Sequence, residues 1–494
     1  MQTGSRSSPH GARHRRVRSG SFARPVHHVP SERPRVVRMR AVPTRLDGPI
    51  YSARMGRTQD DLRAALRRAL DAVEDASPVE SVEAVTREMG AILGATSVSF
   101  LIADLSGRGL VRLTHDSPAE TSRTNAGRSG EGGTGAWWDV DELATSVPFD
   151  GGPAERALRT QAVQVLSPDD QPSNAEPAAG RWKVLAPVVE RGEALGVLEM
   201  FLPSDPGQAV LTELARLAHL LGFVVVASRR HTDLYEWGQR STPFSLSAEI
   251  QRRLLPTAYT CEGGSFTLSA WLEPADDVGG DTFDYTLARD VLHLSISDAM
   301  GHGVASALTA TLCVGSLRNS RRHGLPLLDQ ARTANSALFE HNASVSVESF
   351  STALVGRVDL HTGMLSMVNA GHVAPFRMRA GVAERLELPP DLPFGMFAGT
   401  TYVSTDIALQ PGDRLVFLTD GMLERNATNL DLPALIRSTG TMHPREATRA
   451  LADLVLEAAG QALADDATLM IIDWHGHHGN GRDTLSGATI SHPA

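Results

Sequence analysis

Two hydrophobic periods alternate along this chain. From Gln59 to Leu93 the apolar residues recur at helical spacing. Leu62, Leu66, Leu70 and Val73 form one stripe, Val82, Val85, Met89 and Ile92 the next, and Pro78 separates them. Thr96 to Ala103 then alternates with period two, with Val98, Phe100 and Ile102 on one face, which predicts a strand. A Gly/Ser/Thr-rich stretch from about Ser117 to Gly135 predicts a long loop. Trp182 to Pro187 and Ala194 to Leu202 read as two strands joined by a hairpin turn at Glu190-Arg191-Gly192-Glu193. Residues 207–256 return to helical spacing. Leu211, Leu214, Ala218, Leu221 and Val225 fall at alternating three- and four-residue steps, which is heptad spacing. That stripe serves either a parallel dimer helix carrying a signal or an amphipathic helix packed on its own domain. Pro243 and Pro256 bracket a last short helix, FSLSAEIQRRLL.

After Pro256 short apolar strands meet aspartates. In DDVGGDTFDY, Gly279 and Gly280 precede Asp281. VLHLSISDAMGHG is a strand, with Leu292, Leu294 and Ile296 on one face, that delivers Asp298 at its end. Gly301 and Gly303 then permit a tight turn into an Ala-rich helix, Val304 to Leu317. GDRLVFLTDGMLE repeats the device with Asp420 and Gly421, and LADDATLMIID reverses it, with Asp465 and Asp466 before the last strand. An Asp before Gly is common turn chemistry, and any one of these acids alone reads that way. Several carboxylates at one rim of a rigid sheet repel each other strongly. They become tolerable with divalent cations between them, and hard oxygen ligands favour Mg²⁺ or Mn²⁺ over zinc. Two such ions about 4 Å apart lower the pKa of a shared water and clamp a phosphoryl group for in-line attack, with no protein nucleophile.

Composition narrows the classes. The 494 residues suit two or three domains, and 41% hydrophobic content suffices for real cores. Cysteine is limited to Cys261 and Cys313, which excludes a disulfide scaffold and fits a reducing, cytoplasmic compartment. No Cys/His spacing resembles a zinc site. Residues 1–50 hold eleven arginines against Glu32 and Asp47, a net +9, which leaves −19 of the total −10 to the remainder. So acidic a body argues against nucleic-acid binding. Lys183 is the only lysine. Residues 1–55 are predicted to be a disordered basic arm: a flexible tail, or an upstream extension with the true start at Met39 or Met55, more readily than a contact for nucleic acid or anionic membrane. The arm lacks the apolar core of a secretory signal. The most apolar run, Ala209 to Ser228, carries Glu213, Arg216 and His219, so no membrane span is expected. The polar tail after residue 475 is predicted to be disordered, with His475, His477 and His478 solvated rather than gathered on a metal.

Two resemblances organise these pieces. The order helices, strand, loop, helix and closing hairpin, with WKVLAPVVERGEALGVLEMFLP as its closing strands, resembles a GAF domain over about residues 60–205. No Cys or His there is placed for a haem or bilin. The module would bind another small-molecule ligand, or serve structure and dimerisation. Residues 260–474 resemble the PPM-type protein phosphatases, in particular the SpoIIE/RsbU-like bacterial branch. The ordered matches are IQRRLLP, VGGDTFDY, ISDAMGHGVASAL, NAGHVAPF, LPFG, LTDGMLE and DDATLMII.

The resemblance implies an α+β multidomain chain: a basic arm (1–55), a GAF-like α/β sensory domain (56–206), a helical linker (207–256), an αββα sandwich phosphatase domain (257–475) and a tail (476–494). It implies a dinuclear Mn²⁺/Mg²⁺ centre held by Asp281, Asp298, the backbone carbonyl of Ala299, Asp420 and Asp465, with Asp298 bridging. Asp465 is preferred to Asp466 because eukaryotic relatives keep the first acid and place Asn second. Thr282 replaces the aromatic residue that often follows GGD, while Asp284 keeps the second acid. Ala299 replaces a glycine and adds a methyl near the metal. His302 and His372 read as residues that hold the rim, ahead of a general-acid role for His372. No dedicated arginine clamp for phosphate stands out. The implied activity is hydrolysis of phosphoserine or phosphothreonine on a partner protein, in this branch an anti-sigma factor antagonist. A homodimer regulated through the GAF-like domain is the implied arrangement. The competing reading is a pseudophosphatase scaffold that senses a ligand and docks a partner.

Overall fold

The structure is a computed structural model that describes residues 59–104, 109–115, 142–149, 151–171, 180–233, 235–236, 245–274, 279–346, 348–423, 431–458, 463, 465–477 and 489–490. The basic arm, the Ser117–Gly135 stretch and most of the tail lie outside the described residues.

The N-terminal half is a sheet with helices on both faces. Helices α1 (Gln59–Asp75) and α2 (Ser81–Leu93) precede β1 (Ser97–Ala103). β2 (Gly109–His115), β3 (Glu142–Pro148), α3 (Pro153–Thr160) and β4 (Ala162–Leu166) follow. The hairpin of β5 (Trp182–Glu190) and β6 (Glu193–Leu202) leads into α4 (Gln208–Ser228). The strands order as β4-β5-β6-β1-β2-β3, every neighbouring pair antiparallel. Two residues of the tail, β18 (Thr489–Ile490), add to the β4 edge in parallel.

Val85, Met89 and Ile92 of α2 and Leu211, Leu214, Ala218, Leu221 and Val225 of α4 enter one buried cluster with Val98 and Ile102 of β1 and Met200 of β6. The heptad-spaced stripe is therefore consumed by its own domain. A single apolar face cannot serve the sheet and a coiled-coil partner together. Leu70 of α1, expected in a buried stripe, is 47% exposed. By length and composition α4 could cross a membrane, yet half of that apolar window is buried within the fold. On the opposite sheet face, Ala157 and Leu158 of α3 pack on Leu101, Leu185 and Val197.

The C-terminal half is two sheets packed face to face. Helix α5 (Leu246–Leu254) leads into β7 (Thr260–Glu262), β8 (Phe266–Glu273), β9 (Asp281–Leu287) and β10 (Val291–Ala299). Helices α6 (Gly303–Arg322) and α7 (Leu327–Val345) come next. They are followed by β11 (Ser351–Asp359), β12 (Met364–Ala370), β13 (Phe376–Arg379), β14 (Val382–Arg385), β15 (Ser404–Ala408) and β16 (Arg414–Leu418). Helices α8 (Leu432–Ser438) and α9 (Pro444–Ala458) precede β17 (Ala467–Trp474). One sheet orders as β15-β12-β11-β10-β9, the other as β14-β13-β16-β17-β8-β7. Phe283, Leu294 and Ile296 of the first meet Phe266, Phe417 and Met470 of the second, all essentially without solvent contact. Each such side chain contributes roughly 1.5–3 kcal/mol through burial. Helices α6 and α7 cover the outer face of the first sheet, and α8 and α9 that of the second.

Buried Arg414 ties the second sheet to its helices. Its guanidinium donates to Asp473 at 2.7 and 2.8 Å and to the carbonyls of Thr439 and Met442 at 2.6 Å each. A buried cation is tolerable only when its donors are satisfied in this way.

Candidate active site

Strand parity builds the site. On β9, Phe283 points between the sheets, so Asp281 two residues earlier shares that face. On β10, Ile296 points inward and so does Asp298. Asp281 and Asp298 stand directly opposite each other across the ladder, with Thr352 of β11 opposite Asp298 on its other side. On the facing sheet the inward series Leu415, Phe417 runs on to Thr419, and Ile472, Met470 runs back to Thr468 and Asp466. One end of the apolar interior thus becomes polar on both sheets.

The hydrogen bonds show what each group does. Thr419 Oγ1 and Thr468 Oγ1 both donate to Asp281 Oδ2 at 2.7 Å. The Thr468 N–H in turn donates to Thr419 Oγ1 at 2.9 Å. Asp466 Oδ2 accepts from the N–H groups of Gly280 at 3.0 Å and Asp281 at 3.3 Å. The same oxygen accepts from Gln251 Nε2 at 2.7 Å, and that nitrogen also donates to the Asp281 carbonyl at 2.8 Å. Asp466 is therefore a strap for the Gly-Gly-Asp segment. Asp465 is more open, and its Oδ1 accepts from the Asp466 N–H at 2.9 Å. Asp420 is exposed and opens a 3₁₀ turn, Asp420–Leu423, directly after β16.

Two glycines are needed for close approach. A Cβ on Gly280 would sit 2.5 Å from the Ala299 carbonyl oxygen, and one on Gly421 would sit 2.0 Å from the Asp466 carbonyl oxygen. Glycine alone lets these backbones meet. Ala299 is buried, and alternation turns its methyl to the face opposite Asp298. The extra methyl therefore does not enter the acid cluster.

The electrostatics register the convergence. Burial, then the charges of Asp298 and Asp466, hold Asp281 well above the usual carboxylate range against the two threonine hydroxyls. Burial, then Asp420, Asp465 and Asp466, push Asp298 up to about 7. Burial, with Asp420 adding to it, raises Asp465. Crowded carboxylates share protons or take up cations, and a set of hard oxygen donors suits Mg²⁺ or Mn²⁺. The residues present fit such a centre chemically. Among the described residues no three His, Cys, Asp or Glu side chains already close on a single point.

Other singled-out residues serve the frame. His372 is buried, its Nδ1 shares a 2.7 Å hydrogen bond with Thr352 Oγ1, and its N–H donates to Asn369 Oδ1. Burial pushes its pKa down to about 4, partly offset by the Leu418 backbone, so the ring is neutral at pH 7. His302 is exposed as the N-cap of α6. Asp284 points to the other face of β9, where Arg318 and Arg321 of α6 hold it. Arg318 Nη2 also donates to the Leu254 carbonyl, linking β9, α6 and the end of α5. Sequence reasoning missed Gln251, Thr352, Thr419 and Thr468. Counting inward positions forward from Phe417 and back from Met470 would have found the last two.

Residues 288–475 match the family model "Stage II sporulation protein E (SpoIIE)". "Protein IcfG" of Synechocystis is 25% identical over 204 residues, covering 36% of this chain and 32% of that protein. "Phosphoserine phosphatase RsbU" of Bacillus subtilis is 23% identical over 283 residues, covering 56% of this chain and 83% of that protein. The chain thus spans about a third of the length of the first relative and most of the second. The PP2C phosphatase domain of Bacillus subtilis SpoIIE, solved with a fragment of its regulatory domain, superposes with a TM-score of 0.39 at 20% identity. It covers 44% of this chain and 66% of that one. The segment from residue 288 to residue 475 is a SpoIIE-type domain.

Proposed function

We propose that this chain is a metal-dependent protein phosphatase that hydrolyses phosphoserine or phosphothreonine on a partner protein. The observation that carries the reading is the crowding of Asp298, whose carboxyl is lifted to about 7 by burial and by Asp420, Asp465 and Asp466. Asp281, Asp298, Asp420, Asp465 and the carbonyl of Ala299 would hold two Mn²⁺ or Mg²⁺ ions. When bound, the ions supply a water acidic enough to attack at neutral pH and charge to offset the phosphoryl oxygens. Thr419 and Thr468 orient Asp281, and Asp466 with Gln251 fixes the Gly-Gly-Asp segment that presents it. Asp465 takes the ligand role rather than Asp466, because Asp466 Oδ2 already accepts three donors.

The substrate proposed is a phosphorylated anti-sigma factor antagonist; the support is the likeness to a relative named as a phosphoserine phosphatase. Residues 56–206 are proposed as a GAF-like sensory domain, 207–256 as its helical linker and 257–475 as the phosphatase, working in the cytoplasm. Purified protein with Mn²⁺ should hydrolyse p-nitrophenyl phosphate and release phosphate from a phosphoserine protein, and Asp420→Asn should abolish both. An inactive wild type that also takes up no Mn²⁺ by calorimetry would leave the scaffold reading in its place.

A further inference from the structure

A cleft of about 810 Å³ lies between the N-terminal sheet and the C-terminal sandwich, away from the acid cluster. Its size falls in the range of small-molecule sites, roughly 300–1,000 Å³. The β5–β6 turn bridges the two halves beside it. The Thr260 N–H donates to Glu193 Oε2 at 2.7 Å, and the Glu262 N–H donates to the Arg191 carbonyl at 2.9 Å. The walls come from the start of β6, the segment after α4, the second half of α5 and the first turns of α9.

The lining is unusual for a chain so acidic. Seven arginines face five carboxylates, and Phe149, Tyr259 and Trp271 also line the cleft. Some of these cations are matched: Arg253 donates to Glu236 at 2.8 and 3.1 Å, and Arg449 lies 3.2 Å from Asp453. Arg445 is different. Its side chain is mostly enclosed, 16% exposed, and its best hydrogen bonds go to backbone carbonyls, Gly192 at 3.2 Å and Arg159 at 2.9 Å, with Glu446 at 3.4 Å. A guanidinium kept charged in so dry a place is stabilised by any anion that reaches it. Arg230, exposed on the rim, makes no ion pair among the described residues. Planar guanidinium forks suit phosphate, and aromatic side chains in the lining suit a flat ring.

We propose that this cleft binds a small phosphate-bearing ligand with a planar ring, of the nucleoside-phosphate kind. Helix α5 gives the site a consequence. Arg252 lines the cleft, while its neighbour Gln251 turns the other way to hold Asp466 and the Asp281 backbone. One short helix thus touches both sites, so a ligand that moves Arg252 biases the geometry of the acids. This second step rests on the phosphatase reading; the binding step does not.

The test is calorimetric titration of ADP, pyrophosphate and adenosine into full-length Asp298→Asn protein in metal-stripped buffer. That background removes metal-bridged phosphate at the acid cluster, so a result here is independent of catalysis. ADP should bind, pyrophosphate more weakly, and adenosine weakest. Arg230→Glu and Arg252→Glu should each weaken ADP at least tenfold, with unchanged circular dichroism. Arg230 is exposed, so its reversal does not threaten the fold. Absence of ADP and pyrophosphate binding would overturn the proposal. So would adenosine binding as tightly as ADP, or ADP binding indifferent to both reversals.

Discussion

Asp298→Asn should make the metal-free protein more stable while removing its response to metal. Burial and three neighbouring carboxylates raise the Asp298 pKa from 3.8 to about 7. Each pKa unit corresponds to about 1.36 kcal/mol, so holding this group ionised in the fold at pH 8 costs on the order of 4 kcal/mol. The sign follows from proton binding. A carboxyl with a raised folded pKa binds more protons in the native state, so its contribution is fully present below the unfolded value. It is lost as pH rises through about 7. Asparagine keeps the shape and does not titrate. In metal-stripped buffer at pH 8 the variant should therefore melt several degrees above the wild type, at roughly 2–4 °C per kcal/mol for a domain of this size. At pH 5 the same arithmetic leaves about 1.6 kcal/mol, so the gap should shrink to less than half. Adding MnCl₂ should stabilise the wild type and leave the variant where it was. The assay is thermal unfolding by circular dichroism across pH 5–8, with and without Mn²⁺. A metal-free variant that melts at or below the wild type at pH 8 refutes the crowding argument, whatever its activity.

Gln251→Ala removes the donor shared by Asp466 and the Asp281 carbonyl; Mn²⁺ affinity, read from the midpoint of a thermal-shift titration, should fall about 10–100-fold. Gly280→Ala places a methyl 2.5 Å from the Ala299 carbonyl oxygen, so the strand must move; urea unfolding should show a loss of about 1–3 kcal/mol together with loss of phosphatase activity. His372, with its pKa pushed down to about 4 by burial, must stay neutral to fold, so wild-type stability should fall as pH drops from 6.5 toward 4, by up to about 3 kcal/mol, and His372→Gln should flatten that part of the profile.

Legibility in the sequence followed a simple rule: a pattern could be read where one face was apolar and the other was not. The α2 stripe and the β10 alternation that ends in Asp298 are of this kind. β2 was passed over because Leu110 and Val111 are both buried, so no alternation marks the strand. The stripe on α4 was readable as a stripe but not as to its partner. Heptad steps fit a second helix or the home sheet equally well, and only the assembled sheet decides between them. Asp465 and Asp466 were inseparable by motif for a related reason. Adjacent strand-entry residues face opposite ways, and which one faces inward depends on where the strand begins to count.

That count ties the site to the core. The parity that sends Phe283, Ile296, Phe417 and Met470 into the apolar interior also sends Asp281, Asp298, Thr419 and Thr468 to its polar end. A one-residue slip of any of these strands would expose its core side chains and withdraw its site residue in the same step. Selection for a well-packed sandwich therefore also holds the acids in place. Helix α5 instead reaches the site through a side chain, Gln251. Control of this site is accordingly expected to act through α5 rather than through the strands that carry the acids.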